Sequence, residues 1–227
     1  MKPRPLTEDE HQKLVSLALE DLSDARDRLS LKAGGFIPGI RPLGATAAPI
    51  VASVMTVELV PDGYPPTSRS HLGAGAIDAA NPGQLIVVDH KGRTDCAGWG
   101  GLLSQGAAIK GLAGTVVYGA VRDVDEAQEI NFPVFGLART AVSARGRVVE
   151  RSFGQPIQCG GITVELGDVA IVGVAGAFIV PSASVGVLIE TANEIQGKQD
   201  EMARRLREGA AVADVMGEAY ERMLHRP

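Results

Sequence analysis

Between Gln84 and Gly136 the chain alternates apolar and amphipathic runs, and that alternation limits the folds open to it more than any other feature. QLIVVD (84–89) reads as a buried strand, and HKGRTDCAGWGG (90–101) as a loop that feeds a helix from about Leu102 to Lys110, ended by Gly111. GTVVYG (114–119) reads as a second buried strand, Ala120 to Ile130 as a short acidic helix, and FPVFG (132–136) as a third strand. Strands joined through helices at this spacing imply parallel crossovers, with helices packed on at least one face of the sheet.

The flanks follow other patterns. Thr7 to Leu31 places Leu14, Leu17, Ala18, Asp21, Ala25 and Leu29 near helical spacing, with acids at the start where the helix dipole favours them, so one or two amphipathic helices are expected. PIVASVMTVELVP (49–61) reads as a β-branched strand running into the turn former PDGYPP. Pro61 to Gly83 is long and turn-rich, suited to a lid or an intersubunit arm. After Ala138 short β runs separated by Gly and Pro leave no room for a helix and suggest a second, β-only layer. Val185 to Arg207, and a further stretch with Val212, Val215, Met216, Ala219 and Met223, repeat apolar residues every three or four positions and read as two amphipathic helices. The expectation is an α/β fold in one domain over 1–227: a helical N-terminal region at 7–31, a core at about 32–184 and C-terminal helices at 185–224.

Composition removes several classes of function. The 227 residues carry a net charge of −5 and only 4% aromatics, so neither a cationic field for nucleic acid nor a stacking platform is available. The longest nearly apolar run, Val169 to Pro181, is too short to span a bilayer. Cys96 and Cys159 form no CxxC pair, which argues against a disulfide framework or thiolate metal site. The opening MKPRPLTEDEHQKL has no apolar secretory core, so a reducing cytoplasm is the expected compartment.

Chemistry concentrates in two glycine-containing segments. GWGGLL (98–103) follows a strand and opens a helix, so unpaired amides and the positive end of the dipole meet there. Glycines at 98, 100 and 101 would let an oxyanion approach those amides, although a tight turn would use the same residues. No dinucleotide or P-loop fingerprint is present. GAVRD (119–123) follows the next strand, and parallel topology brings Arg122 and Asp123 to face the first segment. A guanidinium suits bidentate capture of a carboxylate, and a lone carboxylate in a watery cleft suits Mg²⁺; both residues could equally cap the following helix.

The runs DHKGRTDCAGWGGLLSQGAAIKGLAGTVVYGAVRDVDEAQEINFPVFG (89–136) and GQPIQCGGITVELGD (154–168) closely resemble the family containing 4-hydroxy-4-methyl-2-oxoglutarate aldolase and the regulator of ribonuclease E activity, over roughly Leu29 to Gly209. The resemblance implies a three-layer β/β/α swivelling-type domain assembled as homotrimers or homohexamers, with active sites between subunits. It further implies substrate binding by the backbone of Gly100, Gly101, Leu102 and Leu103 and by Arg122, and Mg²⁺ or Mn²⁺ on Asp123. The implied activity is metal-dependent cleavage of 4-hydroxy-4-methyl-2-oxoglutarate or related 4-hydroxy-2-oxo dicarboxylic acids to pyruvate, with decarboxylation of oxaloacetate. Both reactions generate pyruvate enolate, so one Lewis acid serves both. Some relatives are instead non-catalytic rings that bind a ribonuclease or another protein.

Within this pattern Lys91 and Lys110 read as solvated rather than as Schiff-base lysines. The 4-hydroxyl proton is expected to pass to a metal-bound water assisted by a neighbouring subunit's acid, with Glu190, Glu194 and Glu201 as candidates. Three positions depart from the family pattern: Gly101 stands where many members have an acid, Tyr118 where Asp is usual, and no acid stands at Val174. His71 and His90 read as loop residues, and Trp99 as a pocket wall or a helix anchor.

Overall fold

The structure is a computed structural model that describes residues 5–44, 49–64 and 71–217. In chain order the elements are α1 (Glu8–Ser16), α2 (Leu19–Leu29), β1 (Gly35–Ile37), β2 (Arg41–Pro42), β3 (Ile50–Pro61), α3 (Ala74–Ala79), β4 (Leu85–Asp89), α4 (Gly101–Ile109), β5 (Gly114–Val121), α5 (Val124–Glu129), β6 (Val134–Arg139), β7 (Val148–Phe153), β8 (Ile157–Cys159), β9 (Ile162–Val164), β10 (Val169–Gly173), β11 (Gly176–Val180), a 3₁₀ turn (Ser182–Ser184), α6 (Val185–Arg207) and α7 (Val212–Val215).

The alternation expected between 84 and 136 is present: β3, β4, β5 and β6 are parallel neighbours joined by crossovers. β5 runs past the expected Gly119 because Ala120 and Val121 are buried and pair with Ala138 and Arg139 of β6, which delays α5 to Val124. The region 61–83 contains a helix the sequence did not announce, α3, whose six residues AGAIDA, four of them Ala or Gly, give little periodic signal. Residues 65–70 of the expected lid or arm lie outside the described residues. The N-terminal helices are two, and α1 starts with a capping box in which the Thr7 hydroxyl and the Glu10 carboxylate each satisfy the other's backbone N–H. α6 matches its expected span, whereas α7 is a single turn and the expected continuation to 224 lies outside the described residues.

The β runs after Ala138 do not stand apart from the parallel strands. The twelve-residue β3 pairs through its first half with β10, through its middle with β4 and through its end with β7, so one path of strands bends back over itself. Among the described strands only the β8–β9 hairpin lies off that sheet.

Side-chain alternation along the strands separates three seams. Ile86, Val88, Val117 and Val121 face α3, α4 and α5. Leu85, Val87, Val116 and Phe135 meet Ala170, Val172, Ala177 and Ile179 from the antiparallel half, closed by Ile157 and Val164 of the hairpin. Val169, Ile171, Phe178 and Val180 point the other way and pack under α1, α2 and α6 through Leu14, Leu22, Leu188 and Ile195. The result is the expected β/β/α arrangement with the terminal helices covering the antiparallel face. No helix of the described residues is long and apolar enough to cross a membrane.

Phe178 is 1% exposed in the last of these seams. Phe178→Ala is expected to cost about 3–5 kcal/mol, lowering the melting temperature by roughly 6–20 °C in a circular-dichroism melt. Val174→Ala, at an 82% exposed turn position, should stay within about 0.5 kcal/mol of the parent.

Candidate active site

The site grows from one register. β4 and β5 are parallel with Asp89 opposite Tyr118, and the loop after β4 continues along the end of β5. Ala97 bridges Ala120, Gly98 N–H donates to the Ala120 carbonyl (2.8 Å), and Arg122 N–H donates to the Trp99 carbonyl (3.1 Å). This stitching seats Gly100 against the Arg-Asp pair: a Cβ added at Gly100 would stand 3.2 Å from both Arg122 Cγ and Asp123 Oδ2. The two segments singled out in the sequence therefore do face each other.

Gly100 caps α4 in an extended conformation, leaving the first amides of the helix without intrahelical acceptors. Gly101 N–H donates to Asp123 Oδ2 (3.2 Å), and Arg122 Nε donates to the same oxygen (2.9 Å). Oδ1 accepts no bond among the described residues, and the Leu102 and Leu103 amides point from the same helix mouth. Asp123 sits in the left-handed region at φ 55°, where Asp and Asn are tolerated far better than bulky or branched residues.

Around this cluster lies a cavity of about 370 Å³. Gly100, Gly101, Leu102, Leu103, Arg122 and Asp123 all line it. So do three groups that sequence reasoning did not bring to the site: His71, Ser143 and Arg145. Trp99 both walls the cavity and anchors the helix, since its buried indole N–H donates to Ser104 Oγ (3.0 Å).

A further acid was also missed. Glu126 Oε2 stands 1.9 Å from where a Cβ on Gly101 would be, with Asp123 Cβ at 3.1 Å from that same point. Position 101 has no side chain, and the Glu126 carboxylate from α5 takes up that space without lining the cavity itself. The available signal was the acid one helical turn beyond Asp123, on the same helix face. Arg145 had a weaker one, a cationic SARGR stretch within the β-rich region.

Several expectations change. The missing side chain of Gly98 faces His90, so this glycine does not line the cavity. Tyr118 packs on Gly92 and Gly160 and stays out of the crevice. Val174 belongs to the exposed turn between β10 and β11. His90 is 1% exposed rather than solvated, and burial, outweighing its hydrogen bond to the Cys96 carbonyl, pushes its imidazole below the ordinary value. The two lysines do keep solvent contact as expected, Lys91 while pairing with Asp89 Oδ2 (2.5 Å) and Glu58 Oε1 (2.8 Å) and Lys110 while donating to the Asp78 carbonyl. Glu194 pairs with Arg28 and Glu201 with Arg204; neither they nor Glu190 line this protomer's cavity.

Comparison with known proteins places this geometry. The family model described as Aldolase/RraA, RraA-like, matches residues 19–179. Protein DlpA of Legionella pneumophila is 32% identical over 171 residues, covering 75% of this chain but only 27% of that protein, so the match spans about a quarter of the longer relative. A 4-hydroxy-4-methyl-2-oxoglutarate aldolase of Thermus thermophilus is 32% identical over 115 residues, 49% of this chain and 67% of that one. The crystal structure of Streptomyces coelicolor RraAS2, an unusual member of the RNase ES inhibitor RraA protein family, superposes with a TM-score of 0.75 at 20% identity, over 88% of this chain and 98% of that chain, a likeness of fold alone. With a family match across most of its length and the same layered sheet, the chain belongs to the RraA-like family.

Proposed function

We propose that this protein is a divalent-metal-dependent lyase that cleaves 4-hydroxy-4-methyl-2-oxoglutarate or a related 4-hydroxy-2-oxo dicarboxylic acid to release pyruvate, and that also decarboxylates oxaloacetate. The observation that carries the reading is the convergence of the Arg122 guanidinium, the Asp123 carboxylate and the Gly101 amide at one oxygen on the wall of the cavity. Aldolase-named relatives support the reaction class.

The donor set suits a hard ion. Asp123 and Glu126 flank Gly101 with oxygen donors only, and no group of three His, Cys, Asp or Glu side chains able to hold a metal occurs among the described residues. Mg²⁺ and Mn²⁺ accept one or two carboxylates and complete their shells with water and substrate oxygens, whereas a structural zinc site would need more protein ligands. In this reading Asp123 would hold the ion through Oδ1, which accepts no bond among the described residues, with Glu126 on the far side of Gly101 adding negative charge nearby; the ion when bound supplies Lewis-acid polarisation of the substrate's 2-oxo group.

The chain's own residues do the rest. The substrate's C1 carboxylate is held by Arg122, whose Nε is committed to Asp123 while its terminal nitrogens make no hydrogen bond among the described residues, and by the Leu102 and Leu103 amides at the positive end of α4. Arg145 lines the same cavity and has the charge to hold the second carboxylate; Trp99 and Leu72 wall the space between. His71 brings an imidazole to the same cavity, the side chain we assign as proton acceptor. A covalent lysine route gains no support. Burial alone would lower the Lys91 pKa, but its bonds to Asp89 and Glu58 outweigh that and raise it, so the amine stays protonated.

The surface beside the cavity mouth favours assembly. Leu102 and Ile109, two turns apart on one side of α4, are 82% and 89% exposed, an apolar face suited to a second copy of the chain in a trimer or hexamer. The same face gives substance to a second reading, a non-catalytic ring that binds a ribonuclease or another protein.

Pyruvate release from 4-hydroxy-4-methyl-2-oxoglutarate and from oxaloacetate, with Mg²⁺ or Mn²⁺ and then with EDTA, separates the two: metal-dependent turnover is expected, and its absence with every metal would leave the ring. Asp123→Asn should lower kcat by about 10²-fold or more with an unchanged melting temperature, since Asn accepts the left-handed backbone but not the ion. Arg122→Lys should raise KM about tenfold with a smaller effect on kcat, because an ammonium retains the charge without the fork.

A further inference from the structure

His90 follows β4 and faces two glycines, one from each segment that builds the site. A Cβ added at Gly98 would lie 2.8 Å from His90 Cγ and 3.1 Å from both Cβ and Cδ2, with no other residue among its three nearest atoms. A Cβ added at Gly119 would lie 2.5 Å from His90 Cδ2 and 2.7 Å from its Cβ, and 2.8 Å from the Arg93 carbonyl. Neither glycine has a positive φ, so the backbone does not require glycine at either position; the space does. The ring is also tied down. Nε2 lies 2.9 Å from the Cys96 carbonyl, so it carries the proton and donates, while Nδ1 is buried without a partner among the described residues.

We infer that His90 is a positioning residue, a neutral spacer whose ring sets the separation between the 97–101 loop and the end of β5, and through it the placement of the α4 amides opposite Arg122 and Asp123. A smaller side chain would let the loop settle toward the strand. An aliphatic one of equal volume would leave the Cys96 carbonyl without this donor. The glycines at 98 and 119 are the complement of that ring, the first of them cut to its shape alone. Only the catalytic consequence of the spacer rests on the lyase reading; the packing relation stands without it.

The test is a double-mutant cycle on His90 and Gly98, read by melting temperature and by the emission of Trp99, the chain's single tryptophan and the immediate neighbour of Gly98. Gly98→Ala in the otherwise unchanged protein should lower the melting temperature by about 3–10 °C and shift Trp99 emission, as overpacking against a ring demands. In a His90→Ala background the same substitution should cost less than half as much and return the emission toward the parent's. Additive effects would overturn the spacer, and so would a Gly98→Ala protein indistinguishable from the parent in both readouts. If His90→Ala does not fold, His90→Asn, which frees most of the ring's volume and retains a donor, takes its place; if neither folds, the Gly98→Ala comparison alone still decides. Pyruvate release adds a separate arm: Gly98→Ala should lower kcat more than it changes KM, with recovery in the double variant. Coupling in the melts without turnover in any variant would sink the lyase reading and leave the spacer in place. Turnover with additive melts would do the reverse.

Discussion

The parallel register of β4 with β5 is the constraint on which the candidate site depends. Strand C-termini are where crossovers leave a sheet, and two adjacent ones deliver their following segments to the same place. Here the loop after β4 is also bonded to the end of β5, at Gly98–Ala120 and at Arg122–Trp99, so the helix mouth and the guanidinium do not rely on side-chain packing alone to find each other. A one-residue slip would turn Arg122 to the other face of the sheet.

Charge is distributed unevenly around that junction. One oxygen of Asp123 is occupied by Arg122 and Gly101, and this fixes the carboxylate so that its other oxygen has one direction left. Glu126 approaches from α5 across the gap where Gly101 has no side chain, and Arg145 and His71 contribute from separate loops. The cavity thus sets the Asp123 carboxylate beside the cationic Arg122 and Arg145, with Glu126 behind Gly101.

Periodic segments were legible in the sequence because their signals are local. QLIVVD, GTVVYG and FPVFG alternate between two buried faces, and α6 could be placed from the recurrence of Leu188, Ala192, Ile195, Gln199, Met202 and Leu206. The meeting of GWGG with GAVRD followed from parallel topology. What stayed hidden has no period: α3 is six residues, four of them Ala or Gly, and Arg145 and His71 reach the cavity from loops whose course only packing decides. Gly98 and Tyr118 show the opposite failure. Their neighbours in sequence pointed to the pocket, but the side-chain direction at each is set by His90 and by Gly92 and Gly160, which no motif reveals.

The left-handed backbone of Asp123 bears on how such a scaffold drifts. That geometry admits few amino acids comfortably, chiefly Asn, Asp and Gly, and two of these three carry no negative charge. A single codon change to asparagine would disarm an ion-dependent site without disturbing the helix behind it. On the proposed reading, one substitution would then separate a lyase from a chain that keeps its fold and loses the reaction.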